Sequence, residues 1–141
     1  MKIAGLTDIH GNTAAIAKVL PALDAADVVL LVGDITKFGR EADVKRLMSA
    51  LSHPSAKLLA VSGNCDYKEV DEYLSIAGVN IHASCIVINN VAFVGLAGSL
   101  ITPFGTPNEY SEAEIKNALQ QGIDRASEDL LTRFYNSDGL V

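Results

Sequence analysis

The stretch Leu6-Thr7-Asp8-Ile9-His10-Gly11-Asn12 joins the end of an apolar run to sequence typical of a helix. It places an acid and a histidine two residues apart where the predicted first strand ends. Because residues i and i+2 of a strand point to the same side, Asp8 and His10 could hold one cation there. A carboxylate oxygen and an imidazole nitrogen suit Mn, Fe or Zn better than Ca. The same spacing also occurs in caps and turns, so the metal interpretation depends on the strands that follow.

Two later strands also end in residues of metal-binding type. Five β-forming residues, Val28–Val32, run into Gly33-Asp34, and a third predicted strand over 57–62 runs into Gly63-Asn64-Cys65-Asp66. Helical patterns separate these strands, and a β-α-β-α-β-α order predicts a parallel sheet covered by helices. Ligands of such sheets bind at the carboxyl ends of the strands. The sequence therefore predicts an α/β fold with one site at that edge.

The predicted site collects two carboxylates, an imidazole and an amide oxygen. Its members are Asp8, His10, Asp34 and Asn64. Asp8 and Asp34 would repel each other at short range unless a cation lay between them or one of them took up a proton. The alternative is that each residue serves a separate turn. That is common for such residues taken singly, but it does not explain why all three strand ends carry them.

The composition limits the classes of protein to which the chain can belong. The chain is predicted to be a single domain over residues 1–141, with 49% hydrophobic residues and a mean hydropathy of +0.25. The net charge of −6 argues against a general nucleic-acid binder, because such proteins need a basic face. No apolar run approaches the roughly 18 residues that cross a membrane. The N-terminal residues do not read as a secretory signal, so we expect a cytoplasmic protein whose Cys65 and Cys85 are thiols.

Other local patterns give more specific expectations. Pro21 lies inside the apolar stripe of the first helix and predicts a kink or an early end. Asp66 and Glu69 have the spacing of a capping box for the third helix. Asn89-Asn90 predicts a two-residue hairpin turn, and the loop 97–110 is long enough to be functional.

The last part of the chain reads as a helix followed by a turn. Ser111 and Glu114 form a second capping-box pattern, which predicts the start of a fourth helix, and residues 136–139 have turn composition. Leu140-Val141 then resembles the first residues of another strand. We therefore expect a truncated chain, in which a homodimer contact or a further segment covers the apolar face of the hairpin.

The three strand-end motifs together resemble those of the calcineurin-like metallophosphoesterase family. They are Asp8-x-His10, Gly33-Asp34 and Gly63-Asn64-x-Asp66, and the Gly-Asn-Cys-Asp form is similar to a branch of small bacterial and archaeal phosphodiesterases. The resemblance implies a four-layer α-β-β-α sandwich, of which this chain would be the N-terminal portion. It also implies that Asp8 and His10 bind a first metal, Asp34 bridges two metals, and Asn64 binds the second.

The chemistry that the resemblance implies is metal-dependent hydrolysis of a small phosphoester, either a phosphodiester or a phosphomonoester. Two divalent ions (Mn, Fe, Zn, Ni or Mg) would provide a bridging hydroxide and clamp the phosphate oxygens, with Asp34 and Asn64 as catalytic ligands. No side-chain nucleophile is needed.

The chain departs from the family pattern in two respects. Many members have a histidine, thought to assist the leaving group, where this chain has Cys65. A thiol with a pKa of about 8.5 is a poor general acid for this purpose, so a structural role is expected for Cys65. The later histidine motifs of the family are absent, and His53 and His82 are not expected to replace them. The 141-residue chain is therefore expected to be inactive or weakly active.

Two other functions fit parts of the sequence. A non-catalytic protein-binding scaffold on the same fold would agree with the missing histidines, whereas the intact quartet Asp8, His10, Asp34 and Asn64 favours an enzyme. A nucleotide-binding domain is disfavoured because Gly11 and Gly33 form no phosphate loop of familiar spacing.

Overall fold

The computed structural model of the chain describes residues 1–51 and 56–137, and for 133–137 the backbone alone. Within these ranges the elements are, in chain order, β1 (Ile3–Leu6), α1 (Thr13–Asp24), β2 (Val28–Val32), α2 (Glu41–Ala50), β3 (Lys57–Val61), α3 (Lys68–Ile76), β4 (Ser84–Ile88), β5 (Val91–Gly95), β6 (Ser99–Leu100), β7 (Glu109–Tyr110) and α4 (Glu112–Ser137).

The first three strands form the predicted parallel sheet in the order β1-β2-β3. Ile3 lies opposite Val28, and Val28 lies opposite Lys57, so the three carboxyl ends reach the same edge. Helices α1, α2 and α3 cover one face of this sheet through a core whose helical members include Ile16, Leu23, Val44, Leu47, Val70 and Leu74. The predicted α/β class is confirmed.

A second sheet and a fourth helix lie on the other face of the parallel sheet. Strands β4 and β5 pair antiparallel around Asn89 and Asn90, both with positive φ, as the two-residue turn predicted. Phe93 packs toward the parallel sheet, and Cys85 packs beneath Ala126 of α4. The layers therefore run α-β-β-α, in agreement with the N-terminal portion of the predicted sandwich.

Helix α4 lies close against the hairpin because of one glycine. A Cβ atom at Gly122 would lie 2.4 Å from Val94 Cγ1, well inside the contact distance of two carbon atoms. The hairpin thus packs against the parallel sheet through one face and against α4 through the other. Ile3 (49% exposed) and Val32 (50% exposed), on the parallel sheet, are among the exposed apolar residues. A homodimer contact remains a prediction.

Two local predictions, an early end of α1 at Pro21 and a turn at residues 136–137, are wrong. Helix α1 continues through Pro21 to Asp24, because the buried Ile16 and Leu23 fix it to the sheet and Pro21 removes only one hydrogen bond of the last turns. Residues 136–137 continue α4 rather than starting a turn, since helix propagation outweighs their local turn preference. Residues 138–139, Leu140-Val141 and His53 lie outside the described residues. None of the described helices is long and apolar enough to span a bilayer.

Candidate metal centre

The ends of β1 and β2 have a strained backbone. Asp8, His10 and Asp34 have φ values of 53°, 48° and 46°, in the left-handed region that residues with a Cβ rarely occupy. Each such residue costs about 1–2 kcal/mol relative to ordinary backbone. The two turns are held together because His10 N–H donates to Asp34 O at 2.9 Å. Strain of this kind concentrates at functional sites, and here it falls on three predicted ligands.

The end of β3 approaches Asp34 so closely that only glycine fits at position 63. A Cβ atom at Gly63 would lie 2.1 Å from both the backbone nitrogen and Oδ1 of Asp34. Any other side chain would displace the carboxylate. Gly63 therefore lets the turn that carries Asn64 pack against the turn that carries Asp34.

The imidazole of His10 is oriented by a backbone carbonyl. Its Nδ1 lies 3.4 Å from Thr36 O, which can only accept, so in the neutral imidazole this contact places the proton on Nδ1 and the lone pair on Nε2. Nε2 lies 3.9 Å from Asp8 Oδ1 and 3.8 Å from Asp34 Oδ2. This is the arrangement of a metal-binding histidine whose other nitrogen is fixed by an outer partner.

Asp34 and Cys65 are joined by a backbone hydrogen bond. Cys65 N–H donates to Asp34 Oδ1 at 3.0 Å, and Oδ2 is the oxygen beside His10. The ligand atoms of His10, Asp34 and Cys65 all lie within 4.8 Å of one another, and no other group of three such side chains does so in the described parts of the chain. Burial, a hydrogen bond to Asp34 and the negative charges nearby raise the pKa of the Cys65 thiol from 9.0 to about 11.

Asn64 lies next to Cys65, and its side chain is the last of the predicted ligands. Its Nδ2 lies 3.7 Å from Cys65 Sγ and donates to Thr106 Oγ1 at 3.3 Å. The Thr106 hydroxyl donates its own proton to Glu109 Oε1 at 2.5 Å, so it must accept from Asn64. The amide nitrogen is therefore directed at the loop and at Cys65 Sγ, and only the amide oxygen has the chemistry of a cation ligand.

The loop 97–110 is fixed against the end of β3 rather than lying free. Gly98 N–H donates to Ser62 O at 2.9 Å, and Asn108 N–H donates to Asn64 O at 3.2 Å. Within the loop, Glu109 accepts hydrogen bonds from the hydroxyl and backbone N–H groups of Thr102 and Thr106. The two hydroxyls, followed by the two backbone groups, lower the pKa of Glu109 from 4.5 to about 2.

Asp66 does not cap α3, which corrects the sequence prediction. It is fully buried and accepts hydrogen bonds from Ile35 N, Thr36 N, Thr36 Oγ1 and Gly63 N at 2.7–3.0 Å. Tyr67 occupies the N-cap position. The capping-box spacing was misleading because the carboxylate of Asp66 is taken up by donors from the ends of β2 and β3.

The other residues of this region that sequence reasoning missed are Thr36 and the pair Thr106 and Glu109. The pair has a threonine and a glutamate three residues apart, a spacing that suggests a side-chain to backbone clamp. His82, which was not expected to be a ligand, accepts a hydrogen bond from Ala97 N–H at Nδ1 (2.9 Å) and stacks on Tyr110.

The donor set fits a divalent transition metal. Metal bonds near 2.0–2.2 Å place neighbouring ligands of a tetrahedral ion about 3.3–3.6 Å apart. The His10 nitrogen is 3.8–3.9 Å from the two carboxylate oxygens, so small side-chain rotations suffice to close the site. Imidazole and carboxylate ligands together are typical of Mn, Fe and Zn sites. The structure thus places Asp8, His10, Asp34 and Asn64 after the carboxyl ends of three neighbouring strands. Their roles as ligands remain predictions.

Comparison with known proteins gives one family. A sequence model of the family described as calcineurin-like phosphoesterase matches residues 1–133. The uncharacterized protein MJ1162 of Methanocaldococcus jannaschii is 46% identical over 123 residues, which cover 84% of this chain and 53% of that protein. The chain thus spans about half the length of this relative.

A solved structure has the same fold. The crystal structure of TT1561 of Thermus thermophilus superposes with a TM-score of 0.55 at 17% sequence identity. The match covers 84% of this chain and 60% of that chain. At this identity the similarity concerns the fold alone.

Proposed function

Because the chain belongs to the calcineurin-like phosphoesterase family, we propose that it hydrolyses phosphodiester or phosphomonoester bonds with divalent metals bound at its strand ends. The observation that carries the proposal is the position of His10 Nε2, which lies 3.9 Å from Asp8 Oδ1 and 3.8 Å from Asp34 Oδ2. Three side chains from two strand ends thereby converge on one point.

Each residue of the site has a distinct part in this proposal. Asp8, His10 and Asp34 would hold the first cation, and Asp34 and Asn64 would hold a second, Asn64 through its amide oxygen. When bound, the cations activate water and neutralise the phosphate oxygens. Cys65 N–H fixes one oxygen of Asp34, and Thr106 fixes the Asn64 amide, so the carboxylate and the amide are oriented before a cation arrives.

The loop 97–110 favours a small phosphoester as the substrate. It contains no Lys, Arg or His to bind additional phosphates, and the whole chain has a net charge of −6. Phe104, which precedes Thr106 by two residues, is 87% exposed. Ile101 is 70% exposed. This apolar tip would contact the organic part of a substrate. The free thiols of Cys65 and Cys85 agree with the proposed cytoplasmic location.

Hydrolysis of bis-p-nitrophenyl phosphate and p-nitrophenyl phosphate in the presence of Mn²⁺ tests the proposal. We expect slow turnover that is abolished by EDTA and by Asp34→Asn, because the amide removes the bridging negative charge. Asp124→Asn is the matched control, since Asp124 is an exposed carboxylate on α4 that is hydrogen-bonded to Gln120. Metal-independent turnover, or equal rates in Asp34→Asn and the control, would refute the proposal. A protein-binding scaffold would show no metal-dependent turnover in any of these chains.

A further inference from the structure

Cys65 lies inside the cluster of ligand atoms rather than behind it. Its Sγ, a nitrogen of His10 and an oxygen of Asp34 are all within 4.8 Å of one another. The backbone of Cys65 is fixed by its hydrogen bond to Asp34 Oδ1 at 3.0 Å. On the other side, Asn64 Nδ2 lies 3.7 Å from the sulfur. The thiol thus lies between the residues proposed for the first metal and the residue proposed for the second.

We infer that Cys65 is itself a metal ligand, so that Sγ binds a thiophilic divalent cation (Zn²⁺, Co²⁺ or Fe²⁺) together with His10 and Asp34. The inference rests on the proposed function, because His10 and Asp34 must hold a metal for Cys65 to join them. It changes the metal that the site selects. A purely nitrogen and oxygen site accepts Mn²⁺, whereas a sulfur ligand favours softer ions.

The distances and the chemistry of the cluster agree with this role. Zinc–sulfur bonds are about 2.3 Å and zinc–nitrogen bonds about 2.0–2.1 Å, so the two donor atoms of a tetrahedral site lie about 3.6 Å apart. The cluster must therefore contract by about 1.2 Å at most, which side-chain rotation provides. On binding, the S–H bond breaks, the sulfur–metal bond forms, and the proton goes to the buffer.

The chain provides its own control thiol. Cys85 is buried between the hairpin and α4, where it packs with Val87 and Ala126. The structure shows one cysteine among metal-binding side chains and one in an apolar cluster. Replacing each by serine therefore separates the effect of the ligand from the effect of removing a thiol.

Titration of the reduced, metal-free chain with Co²⁺ under anaerobic conditions tests the inference. Thiolate coordination gives an intense charge-transfer absorption in the near ultraviolet, and bound Co²⁺ also gives weaker d–d bands in the visible. We expect both features in the wild-type chain and in Cys85→Ser. Cys65→Ser should lose the charge-transfer band and keep visible bands, and His10→Ala should lose both.

The outcomes separate this inference from the proposed function. Visible bands without charge-transfer absorption in the wild-type chain would show that the metal site exists and that Cys65 does not bind the metal. Charge-transfer absorption that survives in Cys65→Ser, or disappears in Cys85→Ser, would also overturn the inference. Failure to bind Co²⁺ at all would overturn both the inference and the proposed function. A wild-type spectrum without charge-transfer absorption overturns the inference even if a variant fails to fold.

Discussion

Asp66 connects the turns that carry the proposed ligands. Its carboxylate accepts from Ile35 and Thr36 after β2 and from Gly63 after β3. Thr36 O in turn lies 3.4 Å from His10 Nδ1, after β1. One buried acid therefore reaches all three strand ends, two directly and one through Thr36. Its role is to hold the turns in place, since its own oxygens are occupied by these donors.

Asp66→Asn should destabilise the fold by about 3 kcal/mol. The amide keeps one acceptor oxygen but directs an NH₂ group at backbone N–H donors, leaving buried groups unsatisfied. Urea unfolding measures the difference. The control Asp124→Asn, an exposed change, should stay within about 0.5 kcal/mol of the wild type. An Asp66→Asn chain as stable as that control would show that the Asp66 hydrogen bonds do not hold the turns.

At the residue scale, the sequence was sufficient to find candidates but not to assign every role. Asp8, His10, Asp34 and Asn64 could be selected because each directly follows a predicted strand, and strand ends of a parallel sheet meet at one edge. Asp66 was assigned to a helix cap because spacing reports only local partners. Cys65 was expected to be structural because a thiol with a pKa of about 8.5 is a poor general acid.

Among the elements, the loop 97–110 is the one whose internal structure could not be predicted from the sequence. Its Gly and Pro content predicted an irregular loop, yet Ser99–Leu100 and Glu109–Tyr110 pair as two short parallel strands. The pairing depends on Glu109, which joins the two halves of the loop through Thr102 and Thr106. Contacts of this kind between side chain and backbone are not visible in hydrophobic periodicity.

Glu109 should make the stability of the chain depend on pH in a defined window. Its pKa is about 2 in the folded chain against an ordinary value of 4.5, so the folded state favours the carboxylate. The stabilisation is fully present above pH 4.5 and is lost as the pH falls toward 2. Glu109→Gln has no carboxylate to titrate at this position. It should therefore lose less stability than the wild type when the pH falls from about 5 to about 3.

Urea midpoints at the two pH values measure this effect. Glu128→Gln on the exposed side of α4 is the control and should follow the wild-type pH dependence. Parallel pH profiles for Glu109→Gln and the wild type would mean that the carboxylate is not held by the threonines. Because Thr106 also orients Asn64, the same variant reports on how firmly the loop is attached to the site.

For the whole molecule, the alternation of strands and helices was enough to predict the parallel sheet, because right-handed crossovers leave little choice of topology. The sequence did not show how α4 covers the hairpin, since that packing depends on the close approach at Gly122. The continuation of α1 through Pro21 was missed for a similar reason, because burial against the sheet outweighs a local preference. Long-range packing accounts for each of these differences.

The proposed metal positions should be unequal across the molecule. The first would take Asp8, His10 and Asp34, which matches the three protein ligands of a catalytic site. The second would take Asp34 and the neutral amide of Asn64 from the described residues. Fewer ligands and less negative charge predict weaker binding at that second position.

Titration calorimetry with Mn²⁺ on the wild-type chain, His10→Ala and Asn64→Ala tests most directly whether the strand ends form a metal site. We expect one Mn²⁺ per wild-type chain, little change in Asn64→Ala, and loss of binding in His10→Ala, where the central donor is missing. Unchanged binding in His10→Ala would contradict a metal site at the strand ends. Two tight sites of similar affinity in the wild type would contradict the unequal pair.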